Sequence, residues 1–139
     1  MSNRVIHFEI HAADTAKIAD FYKSVFDWEV RKWDNPDVDY WIVMTGPDVK
    51  EGEAAPEPGI NGGITKRQGP MPTSGDPMTS FVCTIHVPSV DEFGKKIEAA
   101  GGKVQLPKMA IPGLAWLAYY ADIEGNIFGI YEDDTSAKN

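Results

Sequence analysis

Apolar and polar residues alternate along the segment Val5 to Ala12. Ile6, Phe8, Ile10 and Ala12 fall on one face, and His7, Glu9 and His11 on the other. A period of two predicts a strand. Asp14 follows where an N-cap accepts from the first free helix amides. Ile18, Phe21, Tyr22 and Val25 then recur at i, i+3, i+4 and i+7, which predicts a helix with one packed stripe. Glu29 to Trp33 reads as a second strand, Asn35-Pro36-Asp37 as a turn, and Tyr40 to Thr45 as a third strand rich in aromatic and β-branched residues. Gly46 to Gly59 is a polar loop carrying Glu51, Glu53 and Glu57. Ile60 to Lys66 makes a short fourth strand, weakened by Gly62-Gly63. Gln68 to Pro77 holds three prolines and two glycines and reads as a linker.

The second half repeats the plan. Cys83, Ile85 and Val87 alternate with Val82, Thr84 and His86. Ser89-Val90-Asp91-Glu92 has the form of a capping box, in which both side chains satisfy orphan amides. Val90, Phe93, Ile97 and Ala100 form the apolar stripe, and Gly101-Gly102 stops the helix. Lys103 to Leu106, Trp116 to Ala121 and Ile127 to Glu132 are strands, with a turn at Gly125-Asn126. Asp133 to Asn139 is polar and is expected to fray.

Strand-helix-strand-strand-strand thus occurs twice, and the opening strands superpose at a fixed offset: His7 on Val82, Ala12 on Val87, Asp14 on Ser89. Each half is too small to bury both faces of its own sheet. The expected fold is α+β: two βαβββ modules forming a cup-shaped, half-barrel mixed sheet with helices outside. Module one covers about 4–66, the linker about 67–79 and module two about 80–133, together one domain over 1–139. Phe8, Ile10, Cys83 and Ile85 should face the helices. His7, Glu9, His11, Thr84 and His86 should face a cleft.

Composition narrows the function. The 13 Lys and Arg against 21 Asp and Glu leave a charge of −8, which argues against nucleic acid and anionic membrane surfaces as partners. A lone cysteine, Cys83, makes no internal disulfide and points to a reducing, cytoplasmic location. No leader sequence is expected from the N-terminal residues. There is no phosphate loop, no His-Glu-x-x-His and no serine elbow. Cys83 reads as a small buried hydrophobe rather than a nucleophile. Lys66-Arg67 could meet an anionic group, though a solvated strand end is the simpler reading.

Several segments together resemble the vicinal oxygen chelate superfamily, which includes glyoxalase I, extradiol dioxygenases and bleomycin-resistance proteins. They are His7-Phe8-Glu9-Ile10 with Asp14, Phe21 through Trp28, Ala99-Ala100-Gly101-Gly102-Lys103-Val104, and Asp122 through Gly129. The short glyoxalase-like proteins are the nearest subgroup. The resemblance implies the paired modules, a small-molecule site and a homodimer. Metal-dependent relatives carry ligands on the first and last strand of each module. Here the first falls on His7, the fifth-strand position on Val82 and the eighth-strand position on Gly129, while Ile60 to Thr65 offers no carboxylate. Three of the four ligands are missing, so no metal cofactor is expected. About three protein ligands are the norm for an open catalytic ion.

Two functional readings follow. In the first, the chain binds a small molecule without the usual metal, lined by His7, Glu9, His11, Trp41, Thr84, His86, Trp116 and Tyr131. Aromatic walls there would stack on planar or cationic ligands, each contact worth about 0.5 to 2 kcal/mol. In the second, it is a glyoxalase-like lyase, isomerase or dioxygenase, either with a divalent metal on His7, Glu9, His11 and His86 or with Glu9 or His7 as a metal-free general base. A third reading, an interaction module, requires the inner faces to be packed shut.

Overall fold

Local capping starts both helices, and alternation lays out the opening strand of each half. The computed structural model describes residues 3–48, 58–73, 76, 81–124 and 126–139. The chain divides into two units, one holding His7 to Phe81, the other the residues from Val82 onward together with those through Ile6.

Module one runs β1 (Arg4–Ala12), α1 (Thr15–Phe26), β2 (Glu29–Lys32), β3 (Tyr40–Met44) and β4 (Gly62–Lys66). Its strands lie in the order β2-β3-β4-β1. β1 and β4 are parallel and the other pairs antiparallel. The Asp14 carboxylate accepts from the Lys17 amide at 3.1 Å, the bond that starts α1. Asp27 ends it in the left-handed region, at φ 58°. Phe8, Ile10, Ala12, Ala19, Val30, Val43 and Ile64 form the core under the helix. Each such large apolar side chain contributes about 1.5–3 kcal/mol on burial.

One expectation about α1 is corrected. Phe21 and Val25 were placed on the packed stripe, yet they are 51% and 54% exposed. The stripe that meets the sheet is Thr15, Ile18, Ala19 and Tyr22. It has the same i, i+3, i+4, i+7 spacing, but the small residues Thr15 and Ala19 are what allow close approach. The Thr15 hydroxyl also donates to Asp39 at 2.8 Å, and Lys32 Nζ meets the same oxygen at 2.8 Å.

Module two repeats the topology with β5 (Val82–His86), α2 (Val90–Ala99), β6 (Lys103–Ile111), β7 (Ala115–Ala121) and β8 (Ile127–Asp133). Its order is β5-β8-β7-β6, with β5 and β8 parallel. Ser89 caps α2 by accepting from the Glu92 amide at 3.1 Å. The Glu92 carboxylate turns instead to Lys96, 3.7 Å away, and Glu132 Oε1 of β8 accepts from the Val90 amide at 2.7 Å. Gly101, at φ 99°, ends the helix. Ile85, Val87, Val90, Phe93, Ala118, Tyr120 and Ile130 pack together, as the alternation requires; Cys83 is only half-buried. β6 continues past Leu106 to Ile111 through register irregularities on either side of that residue.

The terminal segment does not fray. Ala137 is 2% exposed, its carbonyl accepts from Gly113, and the Asp134 amide donates to Leu114. Trp116 Nε1 donates to Asp134 at 2.9 Å. The acidic residues Glu51, Glu53 and Glu57, Gly125 of the predicted turn, and part of the linker lie outside the described residues. Among the described residues no helix is long and apolar enough to cross a membrane.

Candidate functional site

The face of module one turned away from α1 is set by strand register. Glu9 lies opposite Gly63, which lies opposite Ile42; His11 lies opposite Thr65, which lies opposite Tyr40. Residues paired across strands share a face. His7, Glu9, His11, Tyr40, Ile42, Gly63 and Thr65 therefore share one side, as the alternation of β1 predicts for its own three.

Gly62 and Gly63, which look like a weakness in the sequence, each make room for an aromatic ring on opposite faces. A Cβ on Gly62 would lie 2.7 Å from the Phe8 ring on the helix side. A Cβ on Gly63 would lie 1.9 Å from the Tyr40 hydroxyl. The Tyr40 phenol thus crosses β4 over Gly63 and reaches β1. There its oxygen is 3.0 Å from His7 Nε2, and it also hydrogen-bonds Glu9. Glu9 Oε2 is 4.0 Å from His7 Nε2. Strand glycines of this kind mark close approach of another group.

The environment acts on both titratable rings. Burial holds His7 below the ordinary histidine range, partly opposed by the negative charge of Glu9. Burial, the charge of Glu9 and the hydrogen bond to it push the Tyr40 phenol well above its ordinary value. Tyr40 therefore stays protonated at neutral pH and acts as a donor, while His7 is held toward its neutral form. Trp33 stands against Tyr40 edge to face, with ring centroids 6.1 Å apart.

His11 shares the face but not the network. Arg67 Nη2 donates to its carbonyl at 2.7 Å, and its Nε2 is buried without a hydrogen bond among the described residues. Lys66 Nζ donates to the Ala13 carbonyl. These two cations, read from the sequence as candidates for an anion, both hold backbone. Trp41 is not beside His7. It pairs with Ile64 and packs on the helix-side core, with Lys32 Nζ 5.5 Å from its ring centre.

In module two, Thr84, His86 and Tyr131 share the face turned away from α2, with Gly129 opposite Thr84. His86 Nε2 is 2.7 Å from Asp133 Oδ2, and its Nδ1 is buried without a hydrogen bond among the described residues. The His86 and Tyr131 rings lie 6.2 Å apart. Burial, and then the charge of Asp133, raise the Tyr131 phenol. Trp116 lies instead on the helix side, under Lys108 Nζ at 4.4 Å.

The residues do not fit the metal set that the resemblance implies. Among the described residues no three His, Cys, Asp or Glu side chains are placed to hold an ion, and this includes His7, Glu9, His11 and His86. A side chain on Gly129 would meet Thr84 Oγ1 at 2.9 Å and the Tyr119 ring at 3.2 Å, so a glutamate there would have to displace both. Tyr40 and Trp33 are the site residues that sequence reasoning missed. The available signal was Gly63, a strand glycine flanked by an aromatic-rich neighbour.

No family model matches the chain. Two curated relatives, the anthracycline biosynthesis proteins DnrV of Streptomyces peucetius and DauV of Streptomyces sp. strain C5, are each 25% identical over 124 residues, 89% of this chain and 45% of theirs. The chain spans about half the length of these relatives. Among solved structures, a methylmalonyl-CoA epimerase in complex with methylmalonyl-CoA and ammonium matches over the whole of both chains, with 15% identity and a TM-score of 0.63. A variant of the Streptomyces coelicolor methylmalonyl-CoA epimerase with 2-nitronate-propionyl-CoA matches equally fully, with 16% identity and a TM-score of 0.63. A hypothetical protein from Bacillus halodurans C-125 gives 15% and 0.62. With its twice-repeated βαβββ topology and these full-length likenesses, the chain shares the fold of the methylmalonyl-CoA epimerases.

Proposed function

We propose that the chain binds a small molecule on the face of module one turned away from α1, beside the His7–Tyr40–Glu9 network. His7, Glu9 and Tyr40 supply the polar contacts, and Trp33 and Ile42 the apolar ones. The observation that carries this is the His7–Tyr40–Glu9 network, closed at 3.0 Å and held partly out of water. A polar network of this kind, on a face that the core does not need, is typical of ligand sites. The matching face of module two, with Thr84, His86 and Tyr131, is ligand-facing in the same reading. No divalent ion is assigned, because the ligand positions fall on Val82, Gly129 and a strand without carboxylates. The protein is read as a cytoplasmic homodimer.

A second reading, proton transfer beside a carbonyl, is favoured by the solved epimerases and would use Glu9 or His7 as the base. Exchange of a carbonyl compound's α-proton for deuterium, lost in Glu9→Gln while binding persists, distinguishes it from binding alone.

The test is a thermal-shift screen with aromatic hydroxyl compounds, aromatic cations and acyl-CoA thioesters. At about a hundred times Kd a ligand adds about 2.7 kcal/mol. The expected result is stabilisation by at least one class that falls in His7→Ala and Tyr40→Phe. No stabilisation, or equal stabilisation of the variants, overturns the proposal.

A further inference from the structure

We propose that Tyr40 is a positioning residue that keeps the His7 proton on Nε2, so that His7 Nδ1 accepts a hydrogen bond from a ligand hydroxyl or N–H. This deepens the preceding reading and rests on it for the ligand.

The argument is a count of protons. The Glu9 carboxylate can only accept, and a phenol has one proton to give. The Tyr40 O–H therefore goes to Glu9, and its oxygen turns a lone pair toward His7 Nε2 at 3.0 Å. Nε2 must then carry hydrogen. A neutral imidazole has a single N–H, so the lone pair is left on Nδ1. That nitrogen has no hydrogen bond among the described residues, and the His7 side chain is 34% exposed. Gly63 makes the arrangement steric as well as electronic, since a side chain there would occupy the place of the phenol.

The face then selects by class. It offers an acceptor on His7, with the edge-to-face Trp33–Tyr40 pair and Ile42 alongside. An aromatic ring bearing a hydroxyl satisfies both features. A ring whose oxygen is methylated leaves Nδ1 without a donor.

The test has two arms. Long-range proton–nitrogen correlation on the ligand-free protein reads the tautomer of His7 directly. The expected result is the Nε2–H form in the wild type, and loss of that preference in Tyr40→Phe and Glu9→Gln. The Nδ1–H form in the wild type, or an unchanged tautomer in both variants, overturns the proposal. The second arm compares Kd for 2-naphthol and 2-methoxynaphthalene. Wild type should favour the naphthol by about two- to twelvefold, the worth of one hydrogen bond. Tyr40→Phe should lose most of that preference. A preference that persists in Tyr40→Phe overturns the role of Tyr40. If neither compound binds while His7 is Nε2–H, the ligand class is overturned and the positioning role stands. If binding of both is unaffected by His7→Ala, the site reading itself fails.

Discussion

Replacing Gly63 by alanine tests the geometry of the His7–Tyr40–Glu9 network most sharply. The added Cβ would stand 1.9 Å from the Tyr40 hydroxyl, 2.2 Å from Cζ and 2.7 Å from Cε1. Ordinary contact begins near 3.4 Å, so the phenol must retreat by about 1.5 Å. A bond of 3.0 Å to His7 does not survive that move. Two half-buried hydrogen bonds are lost, each worth about 0.5–1.5 kcal/mol net and more where a partner is left unsatisfied. Against this, alanine restricts the unfolded chain and returns about 0.4–1 kcal/mol. The net expectation is about 1–3 kcal/mol of destabilisation, read as a shift in the urea midpoint at constant slope. The same substitution in a Tyr40→Ala background meets no phenol and should be neutral or slightly stabilising. An equal cost in both backgrounds, or no cost in the wild type, would refute the claim that Gly63 exists to admit Tyr40.

Three further outcomes follow from the same structure. Gly94→Ala on α2 puts a Cβ 2.3 Å from the Tyr120 hydroxyl. It should therefore destabilise, despite a helix-propensity gain of about 1 kcal/mol, and Tyr120→Phe should relieve it; failure of that rescue in a double-mutant cycle would count against the contact. Asp14→Ala and Ser89→Ala, the two superposed caps, should each cost about 1 kcal/mol in chemical denaturation, and a null effect at either would remove it as a cap. Because His7 is depressed in the folded chain, the unfolded chain takes up the extra proton first. Stability is thus complete above about 6.5, the ordinary histidine value, and is lost as pH falls toward the folded value. Denaturation between about pH 5 and 7.5 should show a smaller pH dependence in His7→Gln, and identical slopes would contradict the assignment.

The repeat, the topology and both helix starts were readable from the sequence because alternation and capping are local. β1 and β5 alternate cleanly, so His7, Glu9, His11, Thr84 and His86 were put on the right faces. β3 was not readable in this way: Tyr40-Trp41-Ile42-Val43-Met44 is apolar or aromatic on both sides. Only its register with β4 shows that Tyr40, not Trp41, shares the face of His7. Trp116 was misdirected for the same reason, lying in a run without polar alternation. In α1 two apolar stripes overlap at Ile18 and Tyr22, and the one containing small residues won because it lets the helix approach the sheet. The terminal segment looks polar, yet Asp134 and Ala137 pin it through bonds no local pattern encodes.

The central claim is that the face of module one turned away from α1 is where a small molecule binds. Chemical-shift mapping of the isotopically labelled protein against 2-naphthol and the compounds that stabilise it tests this directly. The account predicts that the largest perturbations cluster on His7, Glu9, Tyr40, Ile42 and the Trp33 indole, and that they are lost in Tyr40→Phe for hydroxyl-bearing compounds. Saturable perturbations confined to the helix faces, or none at millimolar ligand, would contradict it.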